Sequence, residues 1–123
     1  MFDRSEHAPG EGFPRKYRLG ANRNYRYVYR RGKTVSAGHF TLVYMKAKDL
    51  KIGFSVSKKV GNAVTRNRIR RWLREDIRRI RPLIKCGRYI VIARPTASAA
   101  SHETVSGNVQ TLLARAKALK EGA

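Results

Sequence analysis

The sequence predicts an α/β fold, a two-layer sandwich in which a small mixed sheet is backed by helices. Short runs rich in Phe, Thr, Val, Tyr and Ile, at 39–45, 50–57 and 88–93, alternate or run apolar as strands do. Two longer segments, 63–81 and 102–120, repeat apolar residues at helical spacing. At 123 residues the chain has length for one modest core and not for two.

Taken in order, residues 1–13 are rich in Gly, Pro and mixed charge without periodicity, which predicts a disordered lead-in; 14–123 form the single folded domain. Asn22 to Arg31 reads as a short helix capped by Asn22 and stopped by Gly32. Its face carries Tyr25, Val28 and Tyr29, and spacing alone leaves two roles open for the rings: packing under the sheet, or a platform for unstacked bases. Thr34–Ser36 is a brief strand candidate and His39–Met45 a firm one. The turn at Lys46–Asp49 then leads into a strand over 50–57 that would pair with its predecessor as an antiparallel hairpin. In that strand Ile52, Phe54 and Val56 alternate with Gly53, Ser55 and Ser57, giving one apolar face and one kept open.

Gly61-Asn62 ends the strand pattern, and the Asn62 side chain is suited to cap the helix that follows. Ile69, Leu73, Ile77 and Ile80 fall on one stripe, with Trp72 at its edge, and Pro82 stops the helix near Arg81. Gly87 leads into an apolar strand over 88–93, with Cys86 expected as a small buried filler beside it. A last helix from His102 to Lys120 carries Val105, Val109, Leu112, Leu113 and Ala116 on its core face.

Charge is the dominant compositional fact. Lys and Arg number 28 against 8 Asp and Glu, a formal net charge of +20, which points to a polyanionic partner. Membrane partners are disfavoured, because the apolar stripes are narrow enough to be consumed by the core and no apolar run could span a bilayer. The start lacks the layout of a signal peptide, so a cytoplasmic location is expected. A single cysteine allows neither an intrachain disulfide nor a cysteine-based zinc site.

The basic residues are also ordered. Arg66, Arg70, Arg74 and Arg78 follow one another at four-residue intervals, although like charges at that spacing repel by a few tenths of a kcal/mol per pair, roughly. Ordinary solvated faces mix signs; a row of arginines suits phosphates, which the guanidinium grips bidentately. Only Glu75 and Asp76 oppose this charge along the helix. A protein nuclease would need clustered carboxylates for metal, or an acid and base pair, and the scattered acids together with His7, His39 and His102 supply neither. No phosphate loop occurs. No catalytic and no metal-binding residue is therefore assigned.

The stretch Lys58-Lys59-Val60-Gly61-Asn62-Ala63-Val64-Thr65-Arg66-Asn67-Arg68-Ile69-Arg70-Arg71-Trp72-Leu73-Arg74-Glu75 resembles the signature of the bacterial ribonuclease P protein subunit, whose Arg-Asn-Arg motif sits on such a helix. The resemblance runs from Arg15 to the last helix and implies the same element order, with a left-handed crossover joining strand, basic helix and final strand. It implies an enzyme subunit without a side chain in the chemical step. The partner it implies is a catalytic RNA that removes the 5′ leader of precursor transfer RNA using magnesium, and the free protein is expected to be a monomer that itself holds no cofactor.

By the same resemblance, Lys58, Lys59, Gly61, Asn62, Arg66, Asn67, Arg68, Arg70, Arg71 and Arg74 contact the catalytic RNA. Tyr25, Tyr29 and Val43, with Asn67, Arg70 and Arg74 at the margin, line a cleft for the leader. Val43 stands where some relatives carry an aromatic, and Tyr44, one position on, points to the opposite face of the strand. A ribosomal protein or general RNA chaperone would share the charge and size but not this ordered motif beside Tyr25 and Tyr29.

Overall fold

The computed structural model describes residues 13–120. The expected disordered lead-in over 1–12 lies outside the described residues. Phe13, assigned to that segment by composition, is instead buried in the core and sets its ring edge-on to Phe54 at 5.8 Å. An apolar ring with a partner at hand outweighs the polar company it keeps in sequence.

The elements are α1 (Asn22–Arg31), β1 (Lys33–Ala37), β2 (Phe40–Met45), β3 (Leu50–Ser55), α2 (Ala63–Ile80), β4 (Gly87–Ala93) and α3 (His102–Arg115). The sheet order is β1-β2-β4-β3, with β3 and β4 parallel and the other neighbours antiparallel, so the sheet is mixed as predicted. The expected β2–β3 hairpin does not form, because β4 lies between the two strands. β4 is apolar on both faces and gains most from a central slot. The link Lys46–Asp49 is long enough to step over it, since two strand spacings amount to about 10 Å. The Asp49 carbonyl accepts from Gly87 N at 3.0 Å, and Arg88 donates to the Asp49 carboxylate, holding that carboxyl below its usual range.

The two faces of the sheet carry separate apolar clusters. Phe40, Leu42, Tyr89 and Val91 meet Ile69, Leu73 and Ile77 of α2 and Val105, Val109, Leu112 and Leu113 of α3. The other face packs Val43 and Ile90 beneath Val28 of α1 and Leu19. Each fully buried aliphatic side chain contributes about 1.5 to 3 kcal/mol relative to exposure, so the predicted stripes of α2 and α3 provide the main core. Ile80 and Trp72 lie half-buried at the margin.

Several local expectations give way to tertiary geometry. Asn22 does not cap α1; the chain turns at Gly20 with φ +88°, Ala21 takes the cap position, and Asn22 is already helical. Asn24 instead donates Nδ2 to the Leu19 carbonyl at 2.8 Å. Cys86 is exposed in the bend that enters β4 rather than buried beside it. α3 ends at Arg115, before the expected Lys120, because Lys117 adopts a left-handed φ of 54°. Ala118 N then bonds the Leu113 carbonyl at 2.9 Å and Lys117 N the Ala114 carbonyl at 3.0 Å, the double closure of a Schellman turn. Ala118, Leu119 and Lys120 run alongside Leu83–Lys85, with Lys85 N bonded to Ala118 O at 2.7 Å and Lys120 N to Leu83 O at 2.8 Å.

Asp76, read from sequence as a counter-charge on the basic face, is 8% exposed and ties two helices together. Its Oδ1 lies 3.0 Å from His102 Nε2, and Ser106 Oγ donates to Oδ2 at 2.9 Å. The Trp72 ring stacks on His102 at 5.0 Å with a 5° interplanar angle.

Asn62 caps α2 as predicted, its Oδ1 accepting from Thr65 N at 2.9 Å. Asn62→Ala is expected to cost about 1 kcal/mol, seen as a lower urea midpoint at unchanged m-value. An unchanged midpoint would mean that the cap does not anchor the helix start.

Candidate nucleic-acid interface

β3 is an edge strand, and its outer edge has backbone groups to satisfy. Leu19 N bonds the Ile52 carbonyl at 3.0 Å, Tyr25 Oη accepts from Phe54 N at 3.2 Å, and Arg70 Nη2 donates to the Val56 carbonyl at 3.1 Å. These bonds bring α1 and α2 to either side of the edge and leave a groove between them.

The groove has a volume of about 590 Å³, and its walls include Tyr25, Tyr29, Phe54, Ser55, Ser57 and Arg70. Tyr25, Phe54 and Arg70 also border a second hollow of about 250 Å³ that extends the groove to Phe13, Arg18 and Arg74. Gly53 makes this arrangement possible, since a Cβ there would fall 2.5 Å from Tyr25 Oη. The strand face expected to stay open is thus occupied by the Tyr25 ring at Gly53, while half-buried Ser55 and exposed Ser57 line the groove. Burial pushes the Tyr25 phenol up, partly offset by its bond from Phe54 N, so it remains neutral beside Arg70 and Arg74. Tyr29 is 44% exposed. On the α1 face, Val28 packs in the core, Tyr25 packs half-buried against the same cluster while also lining the groove, and Tyr29 lines the groove.

The basic motif lies alongside. Lys58 and Lys59 are exposed in the tight turn Lys58–Val60 after β3. Arg66 Nε donates to the Gly61 carbonyl at 3.1 Å, and Arg70 Nη1 to Asn67 Oδ1 at 3.2 Å, so Gly61 and Asn67 orient two members of the arginine row. Arg71 is exposed, while Arg66, Asn67, Arg68, Arg70 and Arg74 are half-buried. Arg68 turns to another side of the helix: its Nη2 reaches Ser98 O at 3.3 Å and its guanidinium lies 5.3 Å from the Trp72 ring.

Val43 is not part of the groove. It is 5% exposed and covered by α1, whose closing residue Gly32 approaches so nearly that a Cβ there would meet Val43 Cγ1 at 2.8 Å. The aromatic on the strand side is Phe54, together with Phe13, and sequence reasoning singles out neither as a site residue. Phe54 carries a signal, an aromatic alternating with small residues, but only the sheet order reveals that its strand is the edge facing α1 and α2.

One group of potential metal ligands occurs among the described residues: Glu75, Asp76 and His102, with donor atoms within 4.8 Å of one another. The Asp76 oxygens are already engaged by His102 and Ser106, and Glu75 lies 3.8 Å from Arg79. Magnesium favours oxygen donors and retained waters, which this imidazole-containing, internally bonded trio does not suit. Among the described residues, no helix is long and apolar enough to cross a membrane.

A family model described as Ribonuclease P matches residues 13–117. The chain belongs to the ribonuclease P protein family. It is 37% identical to the ribonuclease P protein component of an Exiguobacterium species over 84% of this chain and 92% of that one. The counterpart from Bacillus velezensis is 34% identical over 87% and 95% of the two chains. Among solved structures, the ribonuclease P protein of Staphylococcus aureus superposes with a TM-score of 0.80 at 32% identity, covering 85% of this chain and 98% of that one. The ribonuclease P protein of Thermotoga maritima gives 0.73 at 30% identity, covering 80% and 96%. Family membership thus covers the groove and the basic helix together.

Gly53→Ala is expected to destabilise the fold by about 1 to 3 kcal/mol in urea unfolding, because Tyr25 must leave the strand to admit the methyl group. The companion Gly53→Ala/Tyr25→Ala variant should lose less than the sum of the two single changes. Strict additivity would show that the ring and the strand do not touch.

Proposed function

We propose that this chain is the protein subunit of a ribonucleoprotein ribonuclease P. It binds the catalytic RNA through α2 and the turn before it, and it receives the single-stranded 5′ leader of precursor transfer RNA in the groove between α1, β3 and α2. The observation that supports this most is that Arg70 belongs both to the arginine row and to the aromatic groove, so one RNA surface can continue into the other.

The chemistry of the side chains fits that division. Exposed Lys58, Lys59 and Arg71 and the row Arg66, Arg70, Arg74 offer cations to a phosphate backbone, with the guanidinium groups able to grip two oxygens at once. Tyr25, Tyr29 and Phe54 offer ring faces to unpaired bases, each stack being worth about 1 to 3 kcal/mol with little regard to base identity. A leader of varied sequence suits such a surface. The groove walls contain neither carboxylate nor imidazole, so general acid–base chemistry at the scissile phosphate is assigned to the RNA. Catalytic magnesium is likewise assigned to the RNA complex. The protein acts by positioning substrate and by lowering the repulsion between two polyanions, as a free monomer that joins its RNA in the cytoplasm.

Reconstitution tests the reading. The purified protein and a matched ribonuclease P RNA, at a magnesium concentration where the RNA alone is slow, should together cleave precursor transfer RNA at the mature 5′ end. Cleavage by the protein alone, or no stimulation of a matched RNA that it binds tightly, would overturn the proposal. Tyr25→Ala should weaken binding of leader-bearing precursor by about 1 to 3 kcal/mol, roughly 5- to 150-fold, and leave mature transfer RNA unaffected. Equal losses for both substrates would confine Tyr25 to the fold. Arg66→Ala combined with Arg70→Ala should flatten the log–log dependence of RNA affinity on salt by about 0.7 to 0.9 for each phosphate no longer neutralised. An unchanged slope would mean that neither arginine binds phosphate.

A further inference from the structure

A second basic concavity lies away from the groove. It has a volume of about 540 Å³ at the end of the sheet where β4 begins, and Lys33, Lys46, Lys85 and Lys117 stand on its walls with no carboxylate among the lining residues. All four lysines are exposed. They come from four places in the chain: the start of β1, the link after β2, the entry to β4 and the turn after α3. Tyr44 and Tyr89 stand among them, Tyr89 being 4% exposed and fixed by donation from its hydroxyl to the Lys85 carbonyl at 2.8 Å.

Two features mark this as more than scattered surface charge. Separate segments bring four like charges around one hollow without a counter-charge in its walls, an arrangement that a bound polyanion relieves. In addition, Lys117 is the one non-glycine residue with positive φ among the described residues. It occupies the left-handed position of the Schellman turn, where glycine avoids a Cβ clash of about 1 kcal/mol or more. The pull of a helix C-terminus on a cation accounts for a lysine at 117, but not for the three that converge from the strand ends.

We propose that this hollow is a second phosphate-binding surface for RNA backbone, held by Lys33, Lys46, Lys85 and Lys117. The proposal rests on the reading of the chain as an RNA-binding subunit and extends it to the opposite end of the domain. β3 and β4 run parallel, and α2 starts where β3 ends, so the basic motif and this hollow sit at opposite ends of a strand of seven residues, roughly 20 Å apart. Flexible ammonium groups suit binding to phosphates in a chain of any sequence, without the fixed geometry that an arginine fork imposes. RNA held at α2 would therefore be touched a second time.

The test is the salt dependence of RNA binding by the full-length protein, using ribonuclease P RNA alone and then with precursor transfer RNA. Lys117→Gly removes the cation while supplying the residue the turn prefers, so its thermal midpoint should be unchanged or higher and unfolding cannot imitate a binding defect. The log–log slope should flatten by about 0.7 to 0.9 for Lys117→Gly and by about twice that when Lys46→Ala is added. Flattening with the RNA alone places the catalytic RNA in the hollow; flattening only with precursor present places the substrate there. Lys48→Ala removes an exposed lysine outside the hollow and should leave the slope in place. Equal flattening by Lys48→Ala, or an unchanged slope in the Lys46/Lys117 variant, would overturn the proposal. Arg66→Ala/Arg70→Ala run in parallel separates the two readings: if it alone flattens the slope, α2 binds RNA and the hollow does not.

Discussion

The outer edge of β3 has polar backbone groups that no further strand satisfies, and how they are satisfied decides where everything else sits. Leu19, Tyr25 and Arg70 each supply one bond to that edge or its continuation. Two of these partners are long side chains from helices that cover opposite faces of the sheet, so capping the edge also fixes a gap of defined width between them. A protein that solved the same problem with another strand would have a larger sheet and no groove. Gly53 belongs to this solution, because only a residue without Cβ lets an aromatic ring lie against the strand and reach the next amide.

The second constraint is electrostatic. α2 carries a row of like charges that weakens it as an isolated helix, and its apolar stripe must offset that repulsion by docking. Ile69, Leu73 and Ile77 are buried, and Asp76 adds a directional tie to His102 and Ser106 on α3. A buried carboxylate is worth keeping only when its oxygens are hydrogen-bonded, as both are here. The docking residues and the arginine row occupy different sides of one helix, which lets the basic side be chosen for its partner while the other side secures the fold.

Much of this is legible in the sequence, and the failures share a cause. The stripe of α2, its Asn62 cap, the two-faced burial of β4 and the 102–115 portion of the last helix all follow from local periodicity, which one helix or strand carries by itself. The β2–β3 hairpin, the burial of Val43 and Phe13, the exposure of Cys86 and the Asp76–His102 tie depend on which elements become neighbours. Asp76 and His102 are far apart in sequence, and no spacing rule joins them. Tyr25 and Tyr29 do line a groove, but the strand residue beside them is not Val43. Phe54 takes that place because the open edge belongs to β3, and edge identity is a property of the whole sheet.

The position of β4 between β2 and β3 also bears on how the chain can assemble as it leaves the ribosome. β1 and β2 can pair as soon as they emerge, but β3 has no strand to bond until residues 87–93 have been made. Until then α2 has little sheet to dock on and carries its arginines on an unfinished chain. Long-range parallel pairing of this kind is slow to close. The last strand therefore acts as a keystone: without it β3 has no neighbour in the sheet, so a truncated or stalled chain would carry most of the charge of the finished protein without its groove.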